Sequence, residues 1–294
     1  MAHLSGTFVI NMDRSTTRLQ RFREMMAKLQ MPFERFRAVD GSTMTDRNRL
    51  CGGACRILGC SPGMIGCYLS HVSLLSFIAQ TYAKVPNRWF LVFEDDASVR
   101  MDIFQETLNR ILLDLSPTNP VWSDHPYPDT VQLGRRMRWS PPVTPNLLRG
   151  LCMNGTTCYL VSSLGAEKMV AVLGPKVYYH VDAAATALLI WPRLFKTASP
   201  RLAHYMSSVE DLIQHSGADS TVSPGTFPKL IVSVLQLLQP DGTMSSVFGS
   251  CAMYGVGGWV SLNATLPFLV VLILWGIRAR EYWFAALLWS APFL

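Results

Sequence analysis

Strand-like and helix-like segments alternate along the first 175 residues, and this alternation restricts the possible fold more than any other feature. Apolar runs predict strands over five segments: 7–12, 33–41, 89–93, 129–134 and 156–162. Apolar residues that recur every three or four positions predict helices over four others: 19–29, 64–82, 102–115 and 165–173. The alternation predicts an α/β domain with a mostly parallel central sheet, which binds ligands at the carboxyl ends of its strands.

The run 89–93 is apolar throughout and leads directly into three carboxylates, Glu94, Asp95 and Asp96. Adjacent carboxylates repel one another, so three of them at a strand end favour a bound Mg²⁺ or Mn²⁺ ion. In extended backbone, Glu94 and Asp96 point to one side and Asp95 to the other. One of that pair can bind the cation, while the other reaches it through water or holds a sugar hydroxyl. An acidic turn without a metal is the alternative.

Two further polar clusters follow predicted strands: Asn11 with Asp13 and Arg14, and Asp40 with Gly41. The formal net charge is +6, and the first 60 residues hold ten Arg or Lys against five Asp or Glu. This excess favours phosphate-bearing ligands or an anionic membrane surface, with a solvated basic face as the alternative. The absence of long Lys/Arg runs and of nucleic-acid-binding motifs argues against nucleic acid as a partner.

Four of the seven cysteines lie close together in the sequence: Cys51, Cys55, Cys60 and Cys67. Their spacing lacks the paired C-x-x-C pattern of a structural zinc site. We therefore interpret them as small buried thiols, with one disulfide in an oxidising compartment left open.

The C-terminal part differs in composition, and we predict three regions: a catalytic domain at 1–225, a linker at 226–258 and a hydrophobic tail at 259–294. Residues 259–277 carry no charge, and as a helix they would span roughly 28 Å, close to a bilayer core. Trp259 and Trp275 lie near the ends of this run, as interfacial indoles do. We expect a membrane-associated tail, with a hydrophobic docking helix as the alternative. The N-terminus shows no secretory signal pattern, so an endomembrane location (ER or Golgi) and the cytoplasmic face both stay open.

Several stretches, in this order, resemble glycosyltransferase family 25, which includes bacterial lipooligosaccharide and collagen galactosyltransferases. The stretches that resemble the family are "FVINMDRSTTRLQRF", "FERFRAVDG", "GMIGCYLSHVSLL", "FLVFEDDA", "DTVQLG", "GTTCYLVSSLGAEKMV", "YYHVDAAATALLI" and "SSVEDL". Each is short, and their shared order over roughly residues 5–216 makes the set specific. The hydrophobic tail lies outside this resemblance.

The resemblance implies a GT-A type nucleotide-sugar-binding fold, a UDP-sugar donor, usually UDP-galactose, and a divalent metal. Carried over by position, Asp96 is the first metal ligand, and Glu94 belongs to the same acidic motif and to the catalytic set. Further positions match the donor-binding segments, and we expect these to be Asn11, Arg14, Asp40, Gly41 and Asp95. His71 matches the histidine of the family's Ser-His pair, and Asp182 matches the Val-Asp segment.

The predicted reaction is the transfer of a hexose to an acceptor hydroxyl on a glycan, lipid or protein, with inversion expected from the resemblance. Inversion requires one carboxylate as general base, for which Asp182 is the first candidate and Glu210 and Asp211 the next. Two other functions remain open: a metal-dependent nucleotide phosphohydrolase, and an inactive membrane-tethered binding module.

Overall fold

The computed structural model describes residues 2–215 except 53–54, 56–59, 83–86, 135–139, 151–152, 154, 179, 183 and 186–201. The predicted linker at 226–258 and the hydrophobic tail at 259–294 lie outside the described residues. Nine strands occur in the described part of the chain: β1 (His3–Asn11), β2 (Glu34–Arg37), β3 (Arg88–Glu94), β4 (Ala97–Val99), β5 (Thr130–Gln132), β6 (Leu147–Arg149), β7 (Cys158–Ser162), β8 (His204–Ser207) and β9 (Ile213–His215).

Seven of these strands form one sheet in the order β2-β1-β3-β7-β5-β8-β6, and β4 pairs with β9 separately. The α/β class is confirmed, but the prediction of a mostly parallel sheet is wrong. β1 pairs in parallel with β2 and β3, and β5 with β8, whereas the pairs β3–β7, β5–β7 and β6–β8 are antiparallel. A parallel neighbour needs a long crossover connection, usually a helix, and no helix lies between β5 and β7 in the described residues.

The four predicted helices are all present, with a fifth, short one between the second predicted strand and the second predicted helix. The helices are α1 (Thr16–Lys28), α2 (Arg47–Leu50), α3 (Pro62–Thr81), α4 (Phe104–Asp114) and α5 (Ser163–Leu173), with 3-10 turns at Gly41–Thr43 and Pro120–Ser123. α3 begins where the Ser61 hydroxyl accepts a hydrogen bond from the Met64 backbone N–H and Pro62 takes the first turn. This is the expected chemistry of a helix start, because Ser satisfies an unpaired N–H and proline has none to lose.

The helices cover both faces of the sheet, so β3 is buried on both sides. Phe90 and Val92 of β3 pack in one apolar cluster with α3 and α5, while Trp89, Leu91 and Phe93 pack in another with α1 and α4. All five side chains are fully buried. An unbroken apolar run is what a strand in the middle layer of an α/β/α sandwich requires.

α3 is the one helix among the described residues that is long and apolar enough to cross a membrane. Ten of its residues are buried, and they include Tyr68, Leu74 and Ile78 in the core cluster. Its apolar character is therefore accounted for by packing against the sheet.

The backbone of α3 also packs directly against the backbone of the residues that follow β2. A Cβ atom on Gly66 would lie 2.5 Å from the Val39 carbonyl oxygen, and one on Gly41 would lie 1.9 Å from the Pro62 carbonyl oxygen. The Ser70 hydroxyl joins the same two segments, because it accepts from the Val39 N–H at 2.8 Å and donates to the Gly66 carbonyl at 2.6 Å. The absence of a side chain at Gly41 and Gly66 therefore allows α3 to pack this closely against the segment that follows β2.

Gly66→Ala should destabilise the protein by about 1–3 kcal/mol, because the added methyl group meets rigid backbone rather than a movable side chain. Urea unfolding followed by circular dichroism measures the change. Gly134→Ala is the matched control, since a Cβ there would meet only Ile213 at 3.9 Å. Equal stability of the two variants would contradict the close-approach argument.

Candidate active site

A cavity of about 380 Å³ opens at the edge of the sheet where β1, β2 and β3 end. α3 forms one wall, and the residues that follow the three strands form the others. Seven of the predicted site residues line this cavity: Arg14, Asp40, Gly41, His71, Glu94, Asp95 and Asp96. Asn11 and Asp182 do not line it, and both are buried.

Glu94 ends β3 and is held from two sides. Its Oε1 atom accepts a hydrogen bond from the Thr156 hydroxyl at 2.6 Å and lies 3.1 Å from Nε2 of His71. Nδ1 of His71 lies 3.0 Å from the Tyr159 hydroxyl. His71 is 1% exposed, so its ring position is fixed by these two contacts and by the core around it. The Glu94 carboxylate is therefore oriented by His71 of α3 and by Thr156, which lies just before β7.

Asp95 has different partners from Glu94, although Asp95 and Asp96 form a turn after β3 rather than the extended backbone that was expected. Its carboxylate accepts from the Asn11 amide at 2.7 Å and forms an ion pair with Arg18 at 3.1 Å. Burial raises the pKa of Asp95, while the hydrogen bonds from Asn11 and Arg18 oppose that shift. Asn11 is itself held by Arg35, whose Nε donates to the Asn11 side chain at 2.9 Å. Asn11 thus acts on the cavity through Asp95.

Negative charge is concentrated around the Cys67 thiol in the cavity wall. Burial raises the pKa of Cys67, and the carboxylates of Glu94, Asp182 and Asp96 raise it further. Two carboxylates at the end of β3 and a third, from Asp182, therefore act on one point. Such a concentration of charge is typical of sites that bind a cation.

Asp182 is held from the strand side by backbone. Its Oδ2 atom accepts a hydrogen bond from the Gly155 N–H at 3.0 Å. Gly155 has a φ of +85°, a conformation that glycine adopts without strain. The next candidates for a general base, Glu210 and Asp211, are exposed and do not line the cavity.

Positive charge also lines the cavity, beside its carboxylates. Arg14 is 55% exposed and forms an ion pair with Asp40, which also accepts from the Ser42 backbone N–H at 2.9 Å. Arg18 lines the same cavity. A second cavity, of about 290 Å³, lies beyond Asp95 and Asp96 and shares Arg18 with the first.

Four residues of the site were not predicted from the sequence as functional: Arg18, Cys67, Thr156 and Tyr159. Arg18 follows Arg14 by one helical turn, which was the available signal that both face the same ligand. Cys67 precedes His71 by one turn of α3, and Glu94 completes a group whose ligand atoms all lie within 4.8 Å of one another. Thr156 and Tyr159 carried no local signal, because they reach the site through the antiparallel placement of β7.

A cavity lined by charged side chains at the strand ends of an α/β/α sandwich lies where α/β proteins commonly bind their ligands. Residues 4–130 match the family model described as Glycosyltransferase family 25 (LPS biosynthesis protein). The match confirms the resemblance drawn from the sequence and includes β1 to β4 with their site residues; Asp182 lies outside the matched span. The enzyme class that the match supports is glycosyltransferase.

Two similar proteins are Procollagen galactosyltransferase 1-B and Procollagen galactosyltransferase 1-A of Xenopus laevis. They are 28% identical to this chain over 179 and 180 residues, which is 55% of this chain in each case. The aligned region is 27% of the length of each relative, so this chain spans about a quarter of them.

One solved structure also matches, the crystal structure of a glycosyltransferase involved in the glycosylation of the major capsid of PBCV-1. It is 9% identical, with a TM-score of 0.36, and the alignment covers 73% of this chain and 96% of that one. At that TM-score the similarity carries no argument about function.

His180 interacts electrostatically with Glu94, and its titration should affect the stability of the protein. Burial lowers the pKa of His180 to about 4, although the Glu94 carboxylate opposes the shift. The unfolded chain therefore binds a proton near pH 6.5 that the folded protein does not bind until about pH 4. The stability from neutral His180 is present above pH 6.5 and is lost as the pH falls towards 4.

The free energy of unfolding should fall by about 2 kcal/mol more in the wild type than in His180→Asn between pH 7 and pH 5. Urea unfolding at the two pH values measures this difference. His3→Asn is the control, because His3 is exposed. If the free energy of unfolding had the same pH dependence in the wild type and in His180→Asn, the lowered pKa of His180 would be contradicted.

Proposed function

We propose that this chain is a metal-dependent glycosyltransferase that moves a hexose, with galactose as the first choice, from a UDP-sugar to an acceptor hydroxyl. The observation that carries the proposal is the cavity of about 380 Å³, which is lined by both carboxylates and arginines. Guanidinium groups match the charge and shape of a diphosphate, and carboxylates match a hard divalent cation. The family match over residues 4–130 supports the same reaction class.

The residues present fit a Mg²⁺ or Mn²⁺ ion. Asp96 and Glu94 supply oxygen ligands at the cavity wall, and together with Asp182 they concentrate negative charge at Cys67. Such an ion would neutralise charge on the departing diphosphate. We propose Asp96 as its first ligand and Glu94 as the second.

The donor would bind through residues at the ends of β1 and β2. Arg14 is more than half exposed, so its ion pair with Asp40 is weak and can be exchanged for a phosphate contact. Gly41 brings backbone close to α3 and so shapes the floor beside these side chains. Asp95 and Asn11 hold Arg18 at the cavity wall, where its guanidinium faces the same ligand.

The acceptor hydroxyl must lose its proton as it attacks the anomeric carbon, and we propose Asp182 as the base. Because Asp182 is buried and acts on Cys67 in the cavity wall, the proton would reach it through one water molecule. His71, which the sequence placed in the catalytic set, serves here as a positioning residue, because its Nε2 atom contacts Glu94 and its ring is buried. The bond from the Gly155 N–H orients the Asp182 carboxylate. One base and a departing diphosphate on opposite sides of the sugar give inversion.

The acceptor and the location belong to the same proposal. The similar Xenopus proteins are named procollagen galactosyltransferases, which supports a protein or glycan acceptor and an endomembrane location. A glycolipid acceptor fits the bacterial branch of the family description. Membrane contact through residues 259–294 stays a prediction from the sequence.

Asp96→Asn in the full chain should abolish Mn²⁺-dependent galactose transfer and leave the unfolding midpoint unchanged, because one ligand charge is lost without a change of shape. The assay supplies UDP-galactose, Mn²⁺ and a panel of glycan and procollagen-derived peptide acceptors, and follows UDP release and product mass. Asp102→Asn is the control, since that carboxylate is exposed and pairs only with Arg100 among its described contacts.

Full activity of Asp96→Asn would contradict the metal role. Release of inorganic phosphate without any acceptor would instead identify a phosphohydrolase. Tight binding of UDP and Mn²⁺ in a calorimeter with no turnover of any donor would identify a binding module.

Asp182→Asn should lower kcat by about 10²–10⁴-fold and leave the KM for the donor unchanged, because a general base contributes that much to the rate. The asparagine carbonyl can still accept from the Gly155 N–H, so the local structure is kept. Steady-state kinetics at varied donor and acceptor concentrations measure both constants. A loss of less than tenfold in kcat would rule out Asp182 as the base.

A further inference from the structure

We propose that Cys67, His71 and Glu94 form a second metal site, which binds borderline and thiophilic divalent cations such as Zn²⁺ and is distinct in chemistry from the carboxylate site. Their ligand atoms, one each of sulfur, nitrogen and oxygen, all lie within 4.8 Å of one another in the cavity wall. Spacing among the cysteines predicts no such site, because only one of its ligands is a cysteine.

Two of these ligands, Cys67 and His71, lie on the same helix. Cys67 and His71 are four residues apart on α3, so their side chains lie one above the other on the same helix face. Glu94 comes from the end of β3 and already lies 3.1 Å from Nε2 of His71. Zinc bonds of 2.0–2.3 Å in tetrahedral geometry place donor atoms roughly 3.3–3.7 Å apart, so small side-chain shifts suffice to complete the site.

A further contact prepares His71 to act as a ligand. Its Nδ1 atom lies 3.0 Å from the Tyr159 hydroxyl, which leaves Nε2 as the nitrogen that faces Glu94. Metal-binding histidines usually have their second ring nitrogen hydrogen-bonded in this way, and that bond fixes the tautomer and the ring orientation. His71 is 1% exposed, so the ring is also held by packing.

The ligand set determines which cations bind. Thiolate and imidazole favour Zn²⁺ and Co²⁺, whereas Mg²⁺ prefers oxygen ligands only. On binding, the Cys67 thiol proton leaves to solvent and a metal–sulfur bond replaces the S–H bond. Three protein ligands leave a fourth position of a tetrahedral ion open to the cavity.

One consequence rests on the proposed function. Glu94 belongs to both ligand sets, so an ion at Cys67 and His71 removes Glu94 from the carboxylate site. Zn²⁺ should therefore inhibit transfer supported by Mn²⁺, and excess Mg²⁺ should not relieve the inhibition.

Titration of the full chain with Co²⁺ tests the site without any assay of activity. We expect a thiolate-to-cobalt charge-transfer band in the wild type, displaced by one equivalent of Zn²⁺. Cys67→Ser should lose the band and bind Zn²⁺ about 100-fold more weakly or worse, while Tyr159→Phe should weaken binding by about tenfold. Cys60→Ser is the matched control, because Cys60 is also partly exposed and lies near Cys55, outside the proposed ligand set.

A band that persists in Cys67→Ser, or one that disappears in Cys60→Ser, would overturn the proposal, and so would the absence of a thiolate band in the wild type. If Cys67→Ser does not unfold cooperatively, His71→Gln takes its place with the same expected loss. An intact cobalt signal in a protein without transferase activity would refute the proposed function and leave this site standing.

Discussion

The pair of contacts made by one oxygen of Glu94 connects the parts of the site. Thr156 and His71 both reach Oε1, from the approach to β7 and from α3. Because hydrogen bonds to a charged group contribute more than neutral ones, these contacts fix the end of β3 more firmly than the backbone pairing alone. The cavity, the neighbouring carboxylates and the Cys67–His71 pair all lie beside this anchored end. Asp95, the next residue, is anchored in the opposite direction by Asn11 and Arg18.

The direction of β7 explains how residues distant in sequence meet at this edge. β1, β2 and β3 are parallel to one another, and β7 runs antiparallel beside β3. The amino end of β7 therefore lies at the same edge as the carboxyl ends of the parallel strands. Gly155 and Thr156, just before β7, come to lie beside Glu94 and Asp182. In an all-parallel sheet these residues would lie at the far edge.

Local sequence features predicted the parts of the molecule that depend on local chemistry. Periodicity identified α1, α3, α4 and α5, and the unbroken run before Glu94 identified a strand buried on both faces. The short strands β4, β6, β8 and β9 were not predicted, whereas β2 and β5, which are equally short, lie within longer segments that were. The carboxylates that cluster at the end of β3 line a cavity, and their role there stays a prediction.

Strand direction and the partners of the site residues depend on long-range pairing, which local sequence patterns do not predict. The parallel prediction for the sheet failed because strand direction depends on the connection, and the connection before β7 contains β6 rather than a helix among the described residues. The partners of Glu94 and Asp95 could not be predicted for the same reason. Thr156 lies 62 residues from Glu94 along the chain, and Arg18 lies 77 residues from Asp95.

The central position of β3 also bears on how this chain can be divided. Its two neighbours in the sheet, β1 and β7, lie on either side of it in the sequence, so the family-matched span of 4–130 contains only one of them. A fragment that stops there would expose a seven-residue edge of unpaired N–H and C=O groups flanked by five large apolar side chains. Such an edge recruits strands from other copies, so the second half of the sheet protects the first from aggregation as well as supplying Thr156.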